Sequence, residues 1–233
     1  MSEALEKVRG VRLLPLFPLP VVLLPNELMP LHIFEPRYRK MLQDVQMGKN
    51  LFGLSYFDPQ EMDLSKPEIG SIGCAAEVRE VQTLPDGRSN ILSIGIIRYF
   101  LEEYADTDEP YLVGEVSFFE DDKENDEILK PLAQEVLDLF MRLADAAREL
   151  SGERGRFPDI SEAPPEQLSF LISAAFNFEP ELKYEILKTV STSYRLEKLR
   201  EALRQSVGKI EESAEIHKVA KTNGHSNRKI DLP

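Results

Sequence analysis

The chain has 233 residues, of which 42% are hydrophobic and 30% charged, a balance that excludes global disorder and allows one large domain or two small ones. Its 28 Lys and Arg against 41 Asp and Glu give a net charge of −13, which opposes binding to nucleic acids and to anionic membranes. The single cysteine, Cys74, excludes an internal disulfide and a cysteine-rich zinc site, and it fits a reducing compartment.

The N-terminal residues carry charges but no apolar core, so residues 1–10 are predicted to be a flexible segment and not a secretory signal. The longest apolar stretch, 11–25, contains four prolines, which exclude a membrane-spanning helix. We therefore expect a cytoplasmic protein that does not insert into membranes.

The first half of the chain has the short apolar runs and turn signals that are typical of strands. One helix is expected there, because Pro36 precedes apolar residues at helical spacing and Gly48 follows them. In chain order, the predicted elements are strands at 13–17, 21–24 and 31–34, the helix from Pro36, and strands at 51–57, 74–84, 91–101 and 111–119.

After residue 121 the apolar residues recur at helical spacing and predict four helices. The first ends before Gly152, the next two begin at prolines near 165 and 180, and the last begins near Ser191. The sequence thus predicts an α+β fold with a β-rich subdomain at 11–121, a helical subdomain at 122–212 and a disordered tail at 213–233.

Three stretches near the N-terminus resemble the N-terminal domain of ATP-dependent Lon proteases, namely 14–19 (LPLFPL), 22–25 (VLLP) and 29–38 (MPLHIFEPRY). Similar matches at 73–78 (GCAAEV) and 194–199 (YRLEKL) extend the resemblance over roughly 11–207. The resemblance implies a PUA-like β pseudobarrel followed by a helical bundle. It also implies a role in recognising protein substrates.

The sequence departs from a full Lon protease in ways that bear on catalysis. It contains no Gly-x-x-x-x-Gly-Lys-Ser/Thr loop for phosphates, and the region that carries the family's peptidase serine and lysine has no counterpart here. Ser206 and Lys209 match Ser-x-x-Lys, but the companion motifs are absent. We therefore expect a free-standing Lon N-terminal domain without enzymatic activity, cofactor or metal.

The string 32–38 is predicted to form the corner between a strand and the helix from Pro36. His32 is expected to be a hydrogen-bonded structural group, Phe34 to pack inward, and Glu35 to face the helix N-terminus or pair with a base. The corner residues are His32, Phe34, Glu35, Pro36, Arg37 and Tyr38. Cys74 is expected to be buried, and the acidic stretch 102–127 to be a solvated surface.

Two predicted loops carry apolar residues where polar ones are usual. Leu28 and Met29 lie in the first loop, and Phe57 and Met62 lie in the second. Exposed Met and Leu make adaptable contacts, so these four residues are predicted to bind unfolded or partly folded polypeptides on one side of the β unit. The domain would then pass them to a separate protease or chaperone. Two alternatives remain open, a small hydrolase and an RNA-binding PUA-like protein.

Overall fold

Six strands form one mixed sheet in the computed structural model, which describes residues 2–57, 66–151, 160–176 and 178–223. The strands are β1 (Leu13–Leu19), β2 (Leu28–Ile33), β3 (Leu51–Tyr56), β4 (Ile72–Thr83), β5 (Ser89–Tyr104) and β6 (Leu112–Phe119). Their order is β2-β5-β4-β3-β1-β6, and β6 also pairs with β5. Only the β1–β3 pairing is parallel among these pairs of described strands.

The second pairing of β6 closes five of the strands into a barrel. The 16 residues of β5 pair with β4 along one edge. The other edge pairs first with β2, up to Leu28 opposite Ile94, and then with β6, from Arg98 opposite Phe119. A ring that runs β5-β4-β3-β1-β6 and returns to β5 confirms the predicted pseudobarrel, and β2 is added outside the ring as an edge strand.

Within the described residues, six helices accompany the sheet and complete the predicted α+β fold. They are α1 (Glu3–Lys7), α2 (Pro36–Met47), α3 (Asp126–Ser151), α4 (Pro165–Ala175), α5 (Pro180–Lys188) and α6 (Thr192–Asn223). Three of them begin at the predicted prolines, since the missing N–H of proline has no helical partner at the first position anyway. No helix in the described ranges is long and apolar enough to cross a membrane.

The helical part shares a core with the barrel. Phe170 of α4 and Ile186 and Leu187 of α5 pack in the same cluster as Phe17 and Phe52 of the sheet. A second cluster joins α3, α4 and α6, and a third fills the barrel beneath α1. The division into subdomains at 121 stays a prediction, but α4 and α5 bury apolar surface against the strands.

Three local details differ from the sequence predictions. Part of the segment 1–10 that is predicted to be flexible is helical, because Ser2 accepts a hydrogen bond from the Leu5 backbone N–H at 3.1 Å and caps α1, and Val8 is buried. The apolar run 21–24 is not a strand; Val22, Leu23 and Leu24 are buried in the first core cluster, whereas Val21 is exposed. The predicted tail is helical as far as Asn223, because α6 continues through good helix formers.

Candidate functional site

The corner that follows β2 places Phe34 on the outside of the molecule. Ile33 is 1% exposed, whereas Phe34 is 56% exposed and stacks on His32 with ring centroids 6.0 Å apart. The prediction that Phe34 packs inward is therefore wrong. Side chains alternate along a strand, and since Ile33 takes the inward position, the residues on either side of it face solvent.

The other corner residues make short-range contacts. His32 Nδ1 lies 2.7 Å from Asn90 Oδ1, and Arg37 Nε donates to Glu35 Oε2 at 2.9 Å. Pro36 opens α2. Tyr38 is buried with its ring 4.2 Å from that of Phe17, and this burial raises the pKa of its hydroxyl.

Exposed residues alternate along β2 and into the corner, and they form one face with the opposite residues of β5. Leu28 lies opposite Ile94, and the next outward-facing residues of β2 lie opposite Leu92 and Asn90. We call this surface the β2–β5 outer face; its members are Leu28, Pro30, His32, Phe34, Asn90, Leu92 and Ile94. Most of them are apolar, although β2 lies at the edge of the sheet.

The four predicted polypeptide-binding residues have different positions. Leu28 is 59% exposed on the outer face, but it belongs to β2 and not to a loop. Met29 is half-buried and packs against the core, on the opposite side of the same strand. Phe57 is half-buried directly after β3, and Met62 lies outside the described residues.

Helix α5 contacts the residue before Leu28 and the residue before Phe57. Lys183 Nζ lies 2.5 Å from Glu27 Oε1, next to Leu28, and the ring of Tyr184 lies 5.2 Å from that of Tyr56, next to Phe57. Since Lys183 and Tyr184 are consecutive, residues 27 and 56 flank the same turn of helix. The shared use of all four residues in binding stays a prediction.

A cavity of about 580 Å³ opens where the barrel meets the helical part. Its walls come from α1, from the middle of β5, from the segment 120–123 after β6, and from α4. Ile94 lines the cavity and is also part of the outer face, so the two features are continuous. The volume is within the usual range of about 300–1,000 Å³ for ligand sites.

A buried cluster of charges joins the barrel to the helices beside this cavity. Asp121 accepts a hydrogen bond from Arg98 Nη2 of β5 at 2.5 Å and from Arg195 Nη1 of α6 at 2.8 Å. Thr192 Oγ1 also donates to Asp121, at 2.7 Å. The side chains of Arg98, Asp121 and Arg195 are 2%, 8% and 0% exposed. Burial lowers the pKa of Arg98, Asp121 opposes that change, and Arg195 adds to it.

This cluster was not predicted from the sequence, and it corrects the prediction that the whole acidic stretch 102–127 is a solvated surface. Asp121 is the bridging carboxylate, and Glu124 accepts a hydrogen bond from the Ser193 backbone N–H at 3.1 Å, at the start of α6. One signal could have pointed to the cluster, since Arg98 is the one charged residue in the otherwise apolar run 94–101.

The residues considered as nucleophiles have structural surroundings. Cys74 is fully buried, as predicted, and its burial raises the pKa of the thiol. Ser206 donates its hydroxyl proton to the Ala202 carbonyl of its own helix at 2.9 Å. Within the described ranges, no three His, Cys, Asp or Glu side chains lie close enough to hold a metal ion.

Residues 13–205 match the family described as the ATP-dependent protease La (LON) substrate-binding domain, which accounts for most of the chain. The chain belongs to this family. The Lon protease of Brevibacillus choshinensis is 28% identical to this Lon substrate-binding domain over 193 residues, covering 81% of the chain and 24% of that relative. The Lon protease of Parabacteroides distasonis is 29% identical over 154 residues, which cover 64% of this chain and 18% of that relative. The chain thus spans about a quarter or less of these curated relatives.

Two solved structures have the same fold. A Lon N-terminal domain protein from Xanthomonas campestris superposes with a TM-score of 0.59 at 21% identity, over 81% of this chain and 97% of that one. The N-terminal domain of a Mycobacterium avium complex Lon protease superposes with a TM-score of 0.62 at 20% identity, over 83% of this chain and 98% of that one. At these identities the likeness establishes the fold of the Lon substrate-binding domain.

Proposed function

We propose that this domain is a non-catalytic module that captures exposed apolar segments of unfolded or partly folded polypeptides on the β2–β5 outer face. The observation that carries the proposal is the position of Leu28 and Phe34, which are 59% and 56% exposed at the two ends of one face. Contiguous exposed apolar residues are typical of protein-binding surfaces.

The surroundings of the face support a polypeptide as its ligand. The apolar residues of β2 and β5 are bordered on β4 by Glu80, opposite Leu92, and by Gln82, opposite Asn90. An apolar centre with a polar rim is the usual anatomy of a protein interface. Capture by such a surface serves protein quality control, in which a separate protease or chaperone in the cytoplasm receives the client.

Binding can be tested with Leu28→Ser/Phe34→Ser and a permanently unfolded, fluorescently labelled client such as carboxymethylated α-lactalbumin. We expect fluorescence anisotropy to show an affinity about tenfold lower, because each buried Leu or Phe is worth about 1.5–3 kcal/mol and part of that is lost. Met47→Ser/Ile69→Ser is the matched control, since Met47 and Ile69 are 80% and 61% exposed outside the face. An equal loss in the control would contradict the proposal.

The absence of catalysis is a separate prediction. We expect no ATP hydrolysis and no casein cleavage by the purified chain, because the sequence contains no phosphate loop and Ser206 is bonded to its own helix. The measurement is specific activity through successive purification steps. A turnover rate that stays constant through those steps would favour the hydrolase alternative.

A further inference from the structure

We propose that the cavity between the barrel and the helices is a second subsite for the same polypeptide, and that it takes an apolar side chain flanked by lysine or arginine. This inference rests on the proposed function, because the polypeptide reaches the cavity from the β2–β5 outer face. It adds a preference for sequence, namely apolar residues next to basic ones.

The geometry connects the two sites. Leu28 and Ile94 are direct cross-strand neighbours on the outer face, and Ile94 also lines the cavity beside Ile96. An extended chain advances about 3.3 Å per residue, so a segment that lies along the six residues of β2 covers about 20 Å. Its next residues then lie at the mouth of the cavity.

The interior of the cavity suits an apolar side chain. Ile94 and Ile96 come from the sheet, and the rings of Phe119 and Phe170 come from β6 and α4. Both rings also pack against the Arg98 guanidinium, which lies 4.7 Å from the centroid of Phe119 and 5.4 Å from that of Phe170. These contacts hold the walls in place, so the site is formed before the ligand arrives.

The charged side chains that line the cavity have an excess of one negative charge. The carboxylates are Glu3, Glu120, Asp121, Asp122 and Glu166, and the bases are Lys7, Arg79, Arg98 and Lys123. Three of the bases contact carboxylates: Lys7 and Arg79 lie 3.2 and 3.1 Å from Glu77, and Arg98 lies on Asp121. The excess lies on the side formed by the segment after β6 and the first turn of α4, where Glu120, Asp122 and Glu166 outnumber Lys123. This imbalance favours a cationic ligand, and the net charge of −13 acts in the same direction.

Fluorescence anisotropy with three labelled peptides tests the inference. All three have the apolar centre Leu-Ile-Phe-Leu, and they differ in their flanks, which are two lysines, two serines or two glutamates on each side. We expect the wild type to bind them in that order, with differences that shrink as salt is raised. Asp122→Lys/Glu166→Lys should weaken the lysine-flanked peptide about tenfold, from two reversed charge contacts, and leave the serine-flanked peptide within about twofold. Asp106→Lys/Asp108→Lys makes the same change in net charge away from the cavity and is the matched control.

Blocking the cavity with a bulky group provides a second measurement, which leaves the charged side chains of the rim unchanged. Gln167 is exposed at the cavity, and Cys74 is fully buried, so Gln167→Cys gives one accessible thiol for a bulky maleimide. We expect labelling to remove the preference for the lysine-flanked peptide while the unlabelled variant keeps it.

The possible results separate the two proposals. Equal weakening by the cavity variant and its control, or an unchanged preference after labelling, would overturn the cavity subsite. If Leu28→Ser/Phe34→Ser then still weakens all three peptides, the proposed function stands without it. If none of the peptides binds the wild type, both proposals fail.

Discussion

The Glu35–Arg37 pair and the Arg98–Asp121–Arg195 cluster have the same chemistry in different surroundings. At the corner, the two side chains are 38% and 45% exposed, so water screens their attraction, and such pairs are worth about 0–1 kcal/mol. At the junction, one carboxylate compensates two buried guanidinium groups, and its loss leaves them buried without a counter-charge. A conspicuous motif in the sequence therefore does not mark the charges on which the fold depends most.

The largest expected effect comes from Asp121→Asn, which keeps the shape of the side chain and removes its charge. We expect the free energy of unfolding to fall by about 3–5 kcal/mol, as when one partner of a buried ion pair is removed. Glu35→Gln makes the same chemical change at the corner and should cost less than about 1 kcal/mol. Urea unfolding of both variants measures the difference, and equal losses would break the comparison.

A second pair of variants sharpens the comparison inside the corner itself. Tyr38→Ala should cost about 3–5 kcal/mol, because Tyr38 is buried against Phe17 and large-to-small changes in a core have this size. Phe34→Ala should change stability by less than about 0.5 kcal/mol, as at other exposed positions. Thermal unfolding of the two variants tests this, and a Phe34→Ala variant that unfolds as readily as Tyr38→Ala would contradict the outward position of Phe34.

The smallest effect concerns Asp44, whose side chain is 21% exposed and so lies between the two extremes. The hydrogen bond from Lys40 lowers the pKa of Asp44; burial opposes this, and the bond from Tyr111 lowers the pKa further. Because the folded pKa is below the usual value of 3.8, the stabilisation is present above about pH 4 and is lost as pH falls through the folded pKa.

We therefore expect Asp44→Asn to be less stable than wild type at neutral pH and to lose less stability between about pH 5 and pH 3. Tyr111→Phe, which removes one donor and keeps Lys40, should fall between the two. Urea unfolding at a series of pH values provides the measurement. A profile for Asp44→Asn that runs parallel to wild type would exclude a stabilising role for this carboxylate.

The parts of the fold that could be predicted depend on local signals. Pro36, Pro165 and Pro180 begin helices because the constraint on a first helical residue lies within the residue itself. The run 21–24 has the apolar pattern of a strand but is not one, because periodicity does not distinguish a strand from any other short apolar segment.

The candidate site was harder to predict for two reasons. The direction of Phe34 depends on which residue of β2 first faces the core, and an error of one residue reverses every side chain. The charge cluster depends on contacts between residues far apart in the chain, since Asp121 is 23 residues from Arg98 and 74 from Arg195. Leu28 could be identified as an apolar surface residue, but its partner Ile94 became visible only with the register of β2 on β5.

The double pairing of β6 has a consequence for how the chain folds as it is made. β1 pairs with β6 from Leu13 opposite Glu115, so one edge of β1 stays unpaired until about a hundred more residues have been synthesised. At about 5–20 residues per second this takes on the order of 5–20 s, during which the apolar strand edge is open to wrong partners. Asp121 follows soon after β6, but its contact with Arg195 forms only when synthesis has reached α6.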